Sequence, residues 1–255
     1  MTASSLTPSS TPAQKTPRTG FEKWQDGINK APGDTRWNAW DCDIQRVVDG
    51  YNRHLSSTPG YRTLDWHLIK AMVWVETGAL SSDWHFRPMQ IGVKGDPGMT
   101  SFLSGKEGGE LILPDAWKKQ LTVATIRTTP LNNLRAGIGY LLMRMAQFEH
   151  RTILTVDSKI YDVTVKPGDS LAKIAKAQGS TLELLQKLNP QVKILRAGQT
   201  LKCQKANARR VIAGWRSIST TTIALRYNGG GDPNYSRKLD YALSLIKKGK
   251  SALCK

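Results

Sequence analysis

The sequence predicts a mainly α-helical fold into which a small strand–helix–helix–strand module has been inserted. Three observations predict it. Leu64–Thr77 places Leu68, Ile69, Met72, Val73 and Val75 on a wide apolar face at helical spacing. Asn132–Phe148 does the same with Leu134, Ile138, Leu141, Leu142 and Met145. Between 156 and 205 the pattern changes. Tyr161–Val165 alternates as a strand does, and Pro167-Gly168-Asp169 has turn chemistry.

Taken in order, Met1–Gly20 is rich in Ser, Thr and Pro, lacks the apolar run of a secretory leader, and reads as a disordered tail or linker. Phe21–Trp40 is a polar, tryptophan-bearing lead-in. Asp41–Arg53 reads as a helix through Ile44, Val47, Val48 and Tyr51, broken by Pro59-Gly60. After the Leu64–Thr77 helix, Gly78 stands where a glycine stop belongs. Ser81–Leu113, with glycines at 92, 95, 98, 105, 108 and 109, reads as a long loop; inside a compact domain such a loop is usually functional. In the module, Ser170 and Thr181 are N-cap residues for helices reaching Ala177 and Leu188, Asn189-Pro190 stops the second, and Gly198–Leu201 is a closing strand. Further helices are expected at Asn207–Thr220 and Tyr235–Lys247. The expected division is a tail over 1–20, a discontinuous helical domain over 21–155 and 206–255, and a module over 156–205.

A formal net charge of +17 over 255 residues implies attraction to a polyanion: nucleic acid, an anionic lipid surface or a bacterial cell wall. The basic residues are dispersed and carry no helix-turn-helix, zinc-finger or RNA-recognition signature, so nucleic acid is not an expected partner. No run approaches the roughly 18–20 apolar residues of a bilayer span, and no integral membrane segment is expected. Four scattered histidines and three cysteines without ligand spacing imply no metal and no cofactor. Cys42, Cys203 and Cys254 cannot all pair; one disulfide is open to them, but three buried thiols are the simpler expectation. Eight tryptophans suggest a dense core or a sugar-stacking surface. Trp66 and Trp74 are expected in the core, with Trp84 open to either role.

The module resembles a LysM domain. Tyr161-x-Val163, Gly168-Asp169-Ser170-Leu171, Ile174-Ala175, Thr181, Leu185, Asn189 and Gly198-Gln199-x-Leu201 stand at that family's spacing. The resemblance implies binding of N-acetylglucosamine-containing glycans. It places Gly168, Asp169, Ser170 and Leu171 on one lip of the groove, and Asn189, Pro190, Ile194 and Leu195 on the other. A plainer reading makes Asp169 and Ser170 simple helix caps and Ile174 core.

Glu76 is the candidate acid. Met72, Val73, Ile69 and Leu68 lie one and two turns before it, so its carboxyl sits on the buried face at a helix end. Burial disfavours the ionised form and raises the pKa, as protonation of a glycosidic oxygen requires. An isolated buried Glu is more often structural. Here, however, Val75-Glu76-Thr77-Gly78 is followed by Pro88-Met89-Gln90-Ile91-Gly92, Asn133-Leu134-Arg135-Ala136-Gly137-x-x-Tyr140-Leu141 and Ala224-Leu225-Arg226-Tyr227-Asn228-Gly229-Gly230. That series resembles the lysozyme-like lytic transglycosylases, which include goose-type lysozyme. The departures are Arg87-Pro88 where that family has small residues, and the inserted module itself.

The resemblance implies cleavage of peptidoglycan strands between N-acetylmuramic acid and N-acetylglucosamine, with Glu76 as acid/base. Tyr227 would donate a hydrogen bond near Glu76 or to substrate, Gln90 would contact a sugar, Met89 would floor the cleft, and Asn228 would lie beside the acid. A transglycosylase needs no second carboxylate. An inverting muramidase needs one about 6.5–9.5 Å away, with Asp96 first in line and Asp83, Glu107 and Glu110 behind it. Asp96-Pro97-Gly98 has turn chemistry as well. The glycine-rich loop over 92–109 resembles lysozyme-like type VI secretion effectors. That implies delivery to the periplasm or cell wall without a signal peptide, and a cognate immunity protein. The alternative from another class is a non-catalytic peptidoglycan binder.

Overall fold

The computed structural model describes residues 17–156 and 158–249, together with Cys254. Helix α1 (Gly20–Ile28) opens the helical body, and Thr19 and Glu22 cap it reciprocally. The described end of the expected tail is therefore a helix start; residues 1–16 lie outside the described residues. The lead-in also carries two 3-10 turns, Ala31–Gly33 and Thr35–Asn38, before α2 (Asp41–Leu55) and α3 (Trp66–Glu76). Asp65 caps α3 by accepting from the His67 amide. The chain turns away at Gly78, whose φ of +68° favours glycine and whose Cβ, if present, would come 2.9 Å from Trp37.

The stretch expected as one long loop is in part helical. It contains a 3-10 turn at Ser82–His85, α4 (Pro97–Ser104) and α5 (Gly109–Ile112). These one- and two-turn pieces are too short to display a 3.6-residue period. Packing holds them, with Met99 and Phe102 buried. Then come α6 (Asp115–Lys118), α7 (Val123–Thr128) and α8 (Pro130–Met145), the central helix of the body. A Cβ on Gly139 of α8 would lie 2.3 Å from both Tyr51 Oη and Phe102 Cζ, so the missing side chain admits both rings. Within α3, Lys70 is 2 % exposed; its ammonium lies 2.8 Å from Asp41 and 2.7 Å from Asn38 Oδ1. This buried cation is thus paired and hydrogen-bonded, as burial demands.

Strand β1 (Ala146–Leu154) leaves the body where the α8 pattern was expected to run on to Phe148. The module follows as β2 (Ile160–Thr164), α9 (Leu171–Ala177), α10 (Leu182–Leu188) and β3 (Thr200–Gln204). β2 and β3 pair antiparallel, and Val165, Ile174, Ala175, Leu185, Leu201 and Cys203 form the module's own core. Ser170 and Thr181 cap its two helices as expected. The chain returns to the body along β4 (Ala206–Trp215), antiparallel to β1 from Leu154↔Ala206 to Ala146↔Trp215, with a bulge between Gln147 and Phe148. The helix expected over Asn207–Thr220 is thus mostly this strand. Val211, Ile212 and Trp215 mimic one helical face in sequence, but β1, far earlier in the chain, takes up the backbone of β4 instead. Thr152 of β1 contacts Thr181 at 2.9 Å and donates to Glu183 at 2.9 Å, leaning the ribbon on α10.

Helices α11 (Thr220–Arg226) and α12 (Tyr235–Ile246) complete the body, and α12 packs along α3. The fold is mainly α-helical with a small module, as the sequence implies. Among the described residues no helix is long and apolar enough to cross a membrane.

Three buried thiols are not what the structure contains. Cys42, in the first turn of α2, is bonded to Cys254, and Cys203 alone remains a buried thiol. The bridge spans 212 residues of chain, so its loss releases a large loop in the unfolded state. Replacing Cys42 by Ser is expected to lower unfolding stability by about 2–5 kcal/mol. Denaturant melts of the oxidised protein and the variant check this; coincident melts would contradict it.

Candidate active site

Glu76 is the last residue of α3, and its carboxyl faces α12. The Tyr235 hydroxyl, from the first turn of α12, donates to Glu76 Oε1 at 2.5 Å. Burial pushes the Glu76 carboxyl up to about 7. The Tyr235 hydrogen bond pulls the other way, the nearby Asp232 charge pushes further up, and Lys238 offsets it. Asp232 accepts from Lys238 Nζ at 2.7 Å and from the Asn234 amide at 2.9 Å. Burial opposes its ionisation, but these hydrogen bonds outweigh that and leave its carboxyl below the usual range.

The residue after Glu76 fixes the facing loop. Thr77 Oγ1 donates to the Pro88 carbonyl at 2.9 Å, joining the end of α3 to Met89-Gln90-Ile91. Asn133, fully buried on α8, holds that loop from behind. Its Oδ1 accepts from the Met89 amide at 2.9 Å, and its Nδ2 donates to the Ile91 carbonyl at 2.8 Å and the Ile126 carbonyl at 3.1 Å. Met89 is 1 % exposed and packs against Gly137, where a Cβ would sit 2.5 Å away. Gln90 has a φ of +53°, alone in this among the described non-glycine residues. Its Nε2 donates to Asp83 Oδ2 at 3.1 Å. Strain of this kind persists where the surroundings over-determine a conformation.

The tyrosine that touches Glu76 is Tyr235, which the sequence reading used only to start a helix. Tyr227 instead donates to the Met89 carbonyl at 3.1 Å, and its ring lies 5.6 Å from Tyr140. Burial, followed by the charges of Glu76 and Asp96, holds its hydroxyl well above the ordinary tyrosine range. Asn228 closes the glycine turn that follows it, its Oδ1 accepting from the Asp232 amide at 2.8 Å. A polar Asp232-Pro-Asn-Tyr235 segment directly after a glycine run was the available signal for the missed pair of Asp232 and Tyr235. Only pairing across the fold gives that segment its meaning.

Asp96 caps α4. One oxygen accepts from the Gly98 amide and the other from the Gly92 amide, each at 2.7 Å. The remaining carboxylates considered for water activation are also engaged. Asp83 lies 2.6 Å from Arg87, whose hydrogen bond, with that of Gln90, holds it below the usual carboxylate range. Glu107 pairs with Arg144 at 3.3 Å and Glu110 with Arg210 at 3.5 Å. Trp84 is core, 2 % exposed against Trp37 and Trp40, as is Trp74 at 3 %. Trp66 is partly buried and packs on the core.

In the module, the chain just before the first expected lip pairs with the chain just after the second. The Val165 amide donates to the Gln199 carbonyl at 2.8 Å, and the Gly198 amide donates back to the Val165 carbonyl at 2.9 Å. Leu171 and Leu195 pack on the same core. Gly168 (φ +80°), Ser170 and Pro190 are exposed, as is Ile194 at 73 %. Asp169 accepts from the Lys166 amide at 2.8 Å, closing the first turn. Asn189 differs from its neighbours: it is 4 % exposed, and its side chain bonds the Leu185 carbonyl and both backbone groups of Lys202 at 2.7–2.8 Å. It braces α10 against β3.

Among the described residues no group of three or more His, Cys, Asp or Glu could hold a metal ion. Comparisons with curated proteins and with solved structures return no match. The LysM domain family model matches residues 163–203, inside the β2–α9–α10–β3 unit. The inserted module is thus a LysM domain, a peptidoglycan-binding unit carried on the β1–β4 ribbon.

Proposed function

We propose that the protein cleaves peptidoglycan glycan strands at the β-1,4 bond between N-acetylmuramic acid and N-acetylglucosamine, with Glu76 as the sole acid/base and the LysM domain holding the enzyme on the wall. The observation that carries this reading is the Glu76 carboxyl at the end of a buried helix, pushed up to about 7 and gripped by Tyr235. A carboxyl with that pKa can be protonated near neutral pH to donate to a leaving oxygen, then ionised to take a proton back. The order of the four motifs and their resemblance to lytic transglycosylases support the same reading.

In this mechanism Glu76 protonates the glycosidic oxygen, and the C1–O bond breaks through an oxocarbenium-like transition state. The Glu76 carboxylate then accepts the proton of the muramic 6-hydroxyl, whose oxygen bonds to C1 and closes a 1,6-anhydro ring. Asp96 has both oxygens on backbone amides, which favours this route over water activation by a second carboxylate. Tyr235 steadies the ionised form of Glu76, Gln90 faces the sugar, and the Tyr227–Met89 contact sets the floor. Action as a type VI effector, countered by an immunity protein, fits the glycine-rich loop's resemblance and the basic charge.

Release of soluble fragments from purified sacculi tests the proposal. The wild type is expected to release them and Glu76→Gln to release none while still sedimenting with sacculi; a wild type that only binds would leave a wall-binding protein. Activity requiring a protonated Glu76 is expected to fall as pH rises through about 7. The folded-state pKa lies above the unfolded 4.5, so the associated stability is full below about 4.5 and lost as pH rises through about 7. Relative to Glu76→Gln, the wild type should lose up to ~3 kcal/mol across that window. Tyr235→Phe removes a bond that lowers the Glu76 pKa, so the pH at which activity falls should move upward. An unmoved profile would separate Tyr235 from the acid.

A further inference from the structure

Where the β1–β4 ribbon leaves the body, a concavity of about 630 Å³ opens beside α8 and the end of α11. Four arginines line it, Arg144, Arg210, Arg216 and Arg226, facing one lining carboxylate, Glu107. Three of them are anchored. Arg144 Nε donates to the Arg226 carbonyl at 3.2 Å, Arg210 Nη1 to the Gly105 carbonyl at 2.9 Å, and Arg216 Nη1 to the Ala146 carbonyl at 2.8 Å. Backbone anchors of this kind fix guanidinium groups without neutralising them; Arg144 and Arg210 are also paired with Glu107 and Glu110, so among the described residues the unmatched charge in the concavity is that of Arg216 and Arg226. The half-buried Arg226 has no hydrogen-bond or ion-pair partner for its guanidinium among the described residues.

Gathering like charges around a concavity costs free energy, which a bound anion would recover. A guanidinium fork matches a carboxylate with two parallel N–H donors. Arg216 also lines a neighbouring concavity of about 620 Å³ whose wall carries Tyr61 and Trp215, two rings that can stack on a sugar. Arg226 directly precedes Tyr227, whose hydroxyl fixes the loop beneath Glu76. The concavity therefore lies between α8, the end of α11 and the base of the strand pair that carries the module, and its Arg226 is the chain neighbour of Tyr227. Within the proposed glycan cleavage, on which this step rests, the anions on such a substrate are the carboxylates of the stem peptides borne by alternate sugars.

We infer that the arginine pocket at the ribbon base binds stem-peptide carboxylates, making the enzyme selective for peptide-bearing strands over denuded ones. Two measurements test it on the full chain. Calorimetric titration with a free tetrapeptide stem should show binding that Arg226→Ala weakens about tenfold or more, the effect of losing hydrogen bonds to a charged group. Amidating the peptide carboxylates should weaken it as much, and Arg226→Lys should recover only part. In cleavage assays, Arg226→Ala should reduce the rate on peptide-bearing strands and spare denuded strands. Arg226→Gln, with circular dichroism on each variant, guards against misfolding.

Equal peptide binding by wild type and Arg226→Ala would overturn the inference. So would tighter binding of inorganic phosphate or an oligonucleotide than of the peptide, or an equal loss of cleavage on both strand types. A wild type that binds the peptide through Arg226 yet releases no fragments would sustain the pocket and remove the cleavage reading alone.

Discussion

The candidate site depends on one contact: the hydroxyl of Tyr235 against the half-buried carboxyl of Glu76. The two residues are 159 positions apart, on opposite sides of the inserted module. Their meeting requires α12 to lie along α3, and that requires the chain to come back to the point it left. The β1–β4 ribbon meets this requirement, because an antiparallel pair returns its two ends side by side. The insertion thus leaves the body geometrically intact. The disulfide from Cys42 to Cys254 closes the same circuit from the other end, tying the chain beyond α12 to the start of α2.

A carboxyl placed in that pairing is costly to ionise, and the surroundings moderate the cost without removing it. Burial pushes Glu76 up, while Tyr235 and Lys238 draw it back towards a value near neutrality. Around it the scaffold is rigid for identifiable reasons. Asn133 saturates its side chain on the backbone of the facing loop and of α7, and Thr77 ties that loop to α3. Gln90 keeps a left-handed backbone between these anchors. The same economy appears in the module, where Asn189 fastens α10 to β3 and leaves the exposed lips to Gly168, Ser170, Pro190 and Ile194.

What was legible in the sequence is what repeats locally. The faces of α2, α3, α8 and α12 carry their own period, Ser170 and Thr181 announce their helices, and the LysM spacing is dense enough to stand alone. What was hidden depends on partners distant in sequence. The β4 residues Val211, Ile212 and Trp215 fit a helix until β1 is placed beside them, and α4 is too short to show a period. Glu76 was legible because apolar residues of its own helix stand one and two turns before it. Tyr235 was not, because its role exists only across the α3–α12 packing. Asp96 illustrates the converse: its Pro-Gly neighbours marked a turn, and its oxygens are bound to that turn's amides.

The claim that Glu76 acts alone is tested most directly by the ends of the fragments released from purified peptidoglycan, weighed by mass spectrometry. A sole acid/base leaves 1,6-anhydro-muramic ends, one water lighter than reducing ends, and these are the expected products. Reducing ends from the wild type would contradict the claim, requiring a second carboxylate to activate water and returning Asp96 to the chemistry.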